Sequence, residues 1–493
     1  MWKFVLILSI LGLLRDIESL DEIRYPDDAS VYIGGFFSVY LPGSDGCSST
    51  VDPYSIQEFE AVRWIIDKLN TNAFLNAGEK IGIHAYKTCG IPEMAVSSAM
   101  DLSQTYQNTS QSPILFALLS PTKSSEAKHV SRLFSLLPEK DRLLMLSFGA
   151  TSTKLADQSL YTNFYRITPP DSVQVQVMLE LMLELKWNYV GIIYEDDDYG
   201  KDAAQLLKTL TSDKGICVPV YTSFNNTNSD DTFTLFVRNV LDRKLGGIIY
   251  IGSENLIQKL LELFQSSSLV RDIEIIASES NRLNSLYFRR YGTEYFPLSR
   301  GILVTSAPKI ELQEFTEYWK NIKTKTFAQS WISETGEAGI LDSEQSVYVN
   351  YAVKAVLVLA NLFQKLAQKH CGSSTICPQL HDLYKQTYID EMADLKLNLT
   401  AEFPYTSQMF QSTLAENITF KTNREINYNS EPNRQEYEAF NFQQCTGLTN
   451  CRFVKVGDYR LGSLSLNTSL ISSYPSEGSQ GPNTILPSVQ CPN

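Results

Sequence analysis

Residues 167–200 read ITPPDSVQVQVMLELMLELKWNYVGIIYEDDDYG. Pro169 and Pro170 interrupt the preceding structure, and Asp171 opens a helix. Val173, Val177, Leu181 and Leu185 recur at spacing four, which predicts one apolar helix face. Asn188 breaks that period, and Tyr189–Tyr194 is a short apolar run rich in strand formers. The predicted strand empties into an acidic loop, Glu195–Asp198, with Tyr199 just before Gly200. In open parallel sheets ligands bind beyond the carboxyl ends of the strands, so this loop is a candidate site. Its charge favours a cation or an ammonium group.

The same alternation extends to both sides. Upstream, strands are expected over 31–40, 81–86, 114–119 and 142–148, with helices over 54–69, 92–102 and 124–137 between them. Phe59, Val62, Ile66 and Leu69 share one face of the first helix. Downstream, helices over 201–210, 232–241 and 254–264 alternate with strands over 217–222, 246–251, 272–277 and 301–306. Helices over 313–323, 347–367 and 380–388 follow, then strands over 416–420 and 437–443. This order predicts an α/β protein with mostly parallel sheets covered by helices. Two such runs in tandem predict two doubly wound lobes, the first ending near Thr168 and the second filling 169–307.

The chain has 493 residues, enough for two or three domain-sized units. Its net charge of −13 argues against nucleic acid and against a polybasic membrane surface. Lys3 followed by the apolar run Phe4–Leu14, with Ser19 as the small residue before cleavage, reads as a secretory signal over 1–19. The later apolar stretch, 348–367, carries Lys354 and Lys365 and reads as a buried helix, so no membrane anchor is expected in this sequence. Asn108, Asn225, Asn398, Asn417 and Asn467 lie in Asn-x-Ser/Thr triplets and are expected to be glycosylated. Eight cysteines fit an oxidising, secreted or extracellular location. Cys371 with Cys377 and Cys445 with Cys451 are expected to close small loops, and Cys47 with Cys89 a third bridge. Cys217 and Cys491 are left over. A tail rich in Ser, Gly, Pro and Asn, 473–493, reads as a linker.

No zinc-protease HExxH, GxSxG elbow, GxxxxGK[ST] loop or GxGxxG occurs, and His84, His129, His370 and His381 are isolated. The acidic run lacks the alternate-residue spacing of a calcium loop. Neither a catalytic apparatus, a cofactor nor a metal is expected. The informative residues stand at strand ends instead. SPTKSSEA, 120–127, puts Ser124 and Ser125 at a helix start, where hydroxyls and backbone N–H groups suit a carboxylate or simply cap the helix. GATST, 149–153, is a second hydroxyl-rich strand end. Asp171, Tyr199 and Glu279 follow three further strands. Hydroxyls and amides on one side, carboxylates and a ring on the other, complement an α-amino acid.

These segments resemble the extracellular Venus-flytrap region of class C G-protein-coupled receptors, the metabotropic glutamate, calcium-sensing and taste receptor group. YIGGFFSVY, YSIQEFEAVRWIIDKLN, TCG, SPTKSSEA, LSFGATSTKLAD, FYRITPPDSVQVQ, WNYVGIIYEDDDYG, IIASES and LPSVQC carry the likeness, in order and over nearly the whole mature chain. The resemblance implies a periplasmic-binding-protein type I-like fold of two lobes with three crossings. Lobe 1 would comprise 20–168 and 308–445, and lobe 2 169–307 with a return over 446–472. The ligand would bind in the cleft, and closure would signal. Ser124 and Thr151 would hold the ligand's α-carboxylate. Gly149, through its carbonyl, and Asp171 would surround the α-amine. Tyr199 would cover the ligand, and Glu279 would be the acidic group of the second lobe. Glu58 stands where glutamate receptors place an arginine for the distal carboxylate. Two facing carboxylates would cost about 4 kcal/mol at short range and intermediate dielectric, so a basic or neutral amino acid or another amine is expected rather than glutamate. Lys123 would narrow or recharge the cleft. A homodimer through lobe 1 is compatible, without the inter-subunit disulfide, since 105–113 lacks cysteine. In such relatives Cys217 can bond a cysteine-rich domain, whose start Cys491 matches. The alternatives are a soluble amino-acid-binding or decoy glycoprotein, the flytrap of a single-span kinase or cyclase receptor, and a secreted α/β enzyme.

Overall fold

The computed structural model describes residues 22–472 apart from 44–45, 76–77, 108–112, 226–229, 244, 246, 267–272, 282, 284, 292–293, 323–343, 373–375, 384, 405–416, 421–423, 429–435 and 444–448. The signal segment 1–19 and the linker 473–493 therefore lie outside the described residues. The chain divides into two units. The first draws on Met1–Ala150, Asp157–Ile167 and Glu311–Asn429, and the second on Thr151–Ala156, Thr168–Ile310 and Ser430–Asn493.

In chain order the first unit begins with β1 (Glu22–Tyr25), β2 (Val31–Ser38), α1 (Pro53–Thr71), β3 (Ile81–Thr88), α2 (Pro92–Gln107), β4 (Ile114–Leu119), α3 (Ser124–Ser135), β5 (Leu144–Ser147) and β6 (Phe164–Arg166). The strands lie in the order β1-β3-β2-β4-β5-β6. All pair in parallel except β1, which runs antiparallel along β3. Every residue of β2 is buried, as a central parallel strand covered on both faces requires. Asp52 starts α1 by accepting from Tyr54 N at 3.0 Å, and Pro53 supplies the preset first-turn φ.

The second unit continues with α4 (Asp171–Glu184), β7 (Tyr189–Glu195), α5 (Asp198–Asp213), β8 (Cys217–Phe224), α6 (Asp230–Asp242), β9 (Gly247–Ile251), α7 (Glu254–Ser266), β10 (Glu274–Ala277) and β11 (Leu303–Ser306). The chain then returns to the first unit as α8 (Gln313–Asn321), α9 (Val349–Cys371) and α10 (Lys385–Ala393). It closes in the second unit as β12 (Tyr437–Gln443), β13 (Arg452–Arg460) and β14 (Ser463–Leu466). The second sheet has the order β8-β7-β9-β10-β11-β12-β13-β14. Its first five strands are parallel; β12, β13 and β14 are antiparallel. The expected α/β class with two lobes and parallel sheets is therefore present, with an antiparallel flank that the hydrophobic pattern did not signal.

Several local expectations are corrected. α4 has no single apolar stripe: Gln174, Val175, Met178, Leu179 and Met182 are buried beside Val173, Val177 and Leu181, so the helix is covered on most sides. The helix expected over 380–388 is broken into Pro378–His381 and α10. α9 runs as a buried helix with Lys354 only 1% exposed, and Gly372 stops it in the left-handed conformation at φ 72°. No helix among the described residues is long and apolar enough to cross a membrane.

Disulfides join Cys47 to Cys89 and Cys371 to Cys377. Cys451 is also bonded, and its expected partner Cys445 lies outside the described residues. Cys217 is not left over: it is disulfide-bonded too. Cys491 and Asn108 lie outside the described residues. Asn417 and Asn467 are exposed, and Asn225 and Asn398 are half-buried.

Candidate ligand-binding site

Four of the expected residues, Thr151, Asp171, Tyr199 and Glu279, belong to the second unit. Asp171 is the first residue of α4, fully buried, with its backbone N–H donated to Thr151 O at 2.9 Å. The Thr151 side chain is likewise buried beside that turn. Glu279, 1% exposed, follows the end of β10. Tyr199 lies in the first turn of α5 and donates its hydroxyl to Gln174 Oε1 at 3.2 Å. The same oxygen accepts Glu279 N–H at 3.3 Å, so Gln174 ties α4, α5 and the end of β10 together. Burial first, and then the Asp171 and Glu279 carboxylates beside it, push the Tyr199 phenol well above its ordinary value. It therefore stays a donor throughout the physiological range.

Sequence reasoning missed two members of this cluster. Gln174 stands three residues after Asp171, hence on the same helix face, and that spacing was a usable signal. Its amide nitrogen is buried and finds no acceptor among the described residues. Tyr437 donates its hydroxyl to Glu279 Oε2. No local signal points to it: β12 runs antiparallel to β11, which brings the start of β12 to the carboxyl end of the parallel strands. Two buried carboxylates near one another are unfavourable alone; a cation seated against them and the Tyr199 ring would relieve that repulsion.

The acidic run is shorter as a loop than expected, since Glu195 ends β7 and Asp198 opens α5. Tyr199 and Gly200 belong to α5, and Asp197 caps it by accepting from Gly200 N at 2.7 Å. Glu195 Oε2 accepts from Ser253 N at 2.6 Å, and Asp196 pairs with Lys201 at 2.8 Å. These carboxylates hold strand ends and a helix start. Asp171 and Glu279, both buried, are instead the carboxylates that act on Tyr199.

Ser124, Gly149 and Glu58 belong to the first unit. Ser124 is the first residue of α3 and 3% exposed; the N-cap is Lys123, which makes no side-chain cap bond, so neither Ser124 nor Ser125 is the capping residue. The turn after β5 is shaped by the Ser147 hydroxyl, which accepts from Ala150 N at 2.8 Å. Gly149 packs so closely on the strand-end loop before α3 that a Cβ would fall 2.9 Å from Thr122 Cγ2. Glu58 is fully buried on α1 and accepts the Ser346 hydroxyl at 2.9 Å, while Gln57 Oε1 accepts Ser346 N at 2.8 Å. Beside Ser124, and unremarked in the sequence, Glu126 is fully buried and accepts the Ser38 hydroxyl at 2.9 Å. Burial pushes its carboxyl up to about 7.

Among the described residues no group of three or more His, Cys, Asp or Glu side chains is arranged to hold a metal ion. Comparison with known proteins matches residues 57–432 to the model of the receptor family ligand binding region. A probable metabotropic glutamate receptor of Caenorhabditis elegans is 23% identical over 351 residues, covering 64% of this chain and 34% of its own. Metabotropic glutamate receptor 8 of Rattus norvegicus is 21% identical over 449 residues, 82% of this chain and 49% of its own. Taste receptor type 1 member 3 of Felis catus is 29% identical over 169 residues, 32% of this chain and 19% of its own. The chain thus spans half or less of the length of these relatives.

Proposed function

This chain belongs to the receptor family ligand binding region, of the class C G-protein-coupled receptor kind, and from that premise we propose that it binds an amino acid or a related amine. The family is one of receptor ligand-binding regions rather than of enzymes. The observation that supports the reading is that Tyr199 and Glu279 N–H meet on Gln174 while the Asp171 and Glu279 carboxylates act on Tyr199. Asp171 and Glu279 take the ammonium, and the Tyr199 ring lies against it. Gln174 Nε2 gains an acceptor from the ligand, which removes a penalty of about 1–3 kcal/mol for a buried unmet donor. Ser124 and Thr151, with the carbonyl of Gly149, serve the α-carboxylate and its surroundings, following the resemblance. A ligand engaging both lobes shifts an open–closed equilibrium, which is the signal. Glu58 in place of an arginine makes glutamate a poor ligand. The chain acts on the extracellular side, as its signal segment and disulfides suggest.

The test is thermal stability of the secreted protein against a panel of amino acids, amines and calcium. Ligand at about 100 times its dissociation constant should add about 2.7 kcal/mol. The shift should vanish in Asp171→Ala and shrink in Gln174→Leu. A response to glutamate above all others would show the Glu58 argument to be wrong. Absence of any shift would reject an amine-binding site.

A further inference from the structure

The first unit contains a cavity that none of the candidate ligand-binding residues lines. It has a volume of about 330 Å³ and opens between the end of α2, the start of β4 and the start of α10. Ile114 and Leu115 in its wall are the first residues of β4. Ser124 follows the opposite end of that strand, so the cavity lies about 17 Å away along the strand direction. Leu115, Leu143 and Leu383 give it an apolar side, and Ser103 and Tyr106 a polar one.

Lys385 is the unusual member of the lining. Its ammonium donates to Leu115 O at 2.6 Å and lies 5.6 Å from the centre of the Tyr388 ring. No carboxylate forms an ion pair with it among the described residues; Asp141, also in the wall, acts on it only at a distance. Burial accordingly pulls Lys385 down to about 8 and lowers His381 as well. Asp382 is exposed and supplies no buried counter-charge, and Lys140, also exposed, is a second cation at the rim. A half-buried cation without a carboxylate partner among the described residues, set beside three leucines in a wall of mixed polarity, suits an anion with a hydrocarbon body.

We propose that this cavity is a second ligand site, and that it takes a small organic carboxylate whose charge pairs with Lys385 Nζ while its apolar part lies against Leu115, Leu143 and Leu383. The site is independent of the amine-binding cluster of the second unit.

The probes are 4-fluorobenzoate and its neutral analogue 4-fluorobenzamide, followed by fluorine NMR on the full chain. The benzoate should bind with a dissociation constant on the order of 1 mM, the scale for so small a ligand. Asp171→Ala should leave this binding unchanged, which separates the cavity from the amine site. Lys385→Met should weaken it about ten-fold, and Ser103→Trp, which fills the space while keeping the lysine, should do the same. The benzamide should bind no better than the Lys385→Met variant binds benzoate. No binding to the wild-type chain, or binding that survives both Lys385→Met and Ser103→Trp, would overturn the site. Equal binding of the amide would overturn the carboxylate assignment.

Discussion

Glu126 reads in the sequence as an ordinary carboxylate in the first turn of a helix, and burial makes it something else. Its folded value of about 7 stands above the usual 4.5. Below pH 4.5 both folded and unfolded chains hold the proton, and the group opposes folding least. As pH rises toward 7 the unfolded chain loses the proton while the fold retains it, so stability falls across that window and levels off above it. The loss is on the order of 3 kcal/mol. Glu126→Gln should therefore raise stability to denaturant at pH 8 by up to about that amount and do little at pH 4, the two measured as separate unfolding curves. An equal gain at both pH values would mean the charge is not what burdens the site. The positions of Asp171, Tyr199 and Glu279 just beyond strand ends were legible in the sequence, and strand ends are where ligands bind in open parallel sheets. For Gln174 the spacing from Asp171 gave the helix face, but nothing local showed that the Tyr199 hydroxyl and Glu279 N–H would meet on its side chain.

Elements were legible where composition was uniform. Ile114–Leu119 is all apolar and its limits are those expected; β13, with its alternating charges, was missed. β1 was missed for a related reason. It is an edge strand held by side chains: His84 Nε2 bonds Glu22 Oε2 at 2.7 Å, and Tyr86 donates to the same oxygen at 3.0 Å. The junction of β7 and α5 depends on Gly200, where a Cβ would fall 2.2 Å from Glu195 O. Backbone cannot yield as a side-chain tip can, so Gly200→Ala should destabilise by about 1–3 kcal/mol. It should also shift Tyr199 and weaken amine binding in the same protein. Thermal melts with and without ligand give both quantities, and a neutral substitution would disprove the close approach.

Across the whole molecule, covalent links show how sequence distance becomes stability. Cys47 and Cys89 are separated by 42 residues, Cys371 and Cys377 by 6. Loop-closure entropy predicts that replacing the first pair with serine costs about 4 kcal/mol and the second about 2 kcal/mol. Denaturant unfolding of the two double variants measures this, and the reverse order would refute the entropic account. The sequence by itself determined the α/β class, the two runs, the helix starts at Pro92, Ser124 and Asp171, and the strand ends that carry the candidate residues. Those features depend on periodicity and capping within a few neighbours. Only the tertiary structure decided that Tyr437 reaches Glu279 across 158 positions, that the acidic run fastens α5, and that Lys385 has no carboxylate ion pair among the described residues. Pairing and protonation depend on which distant groups share a buried volume. That is a property of the packed sheet and its covering helices rather than of any local run of residues.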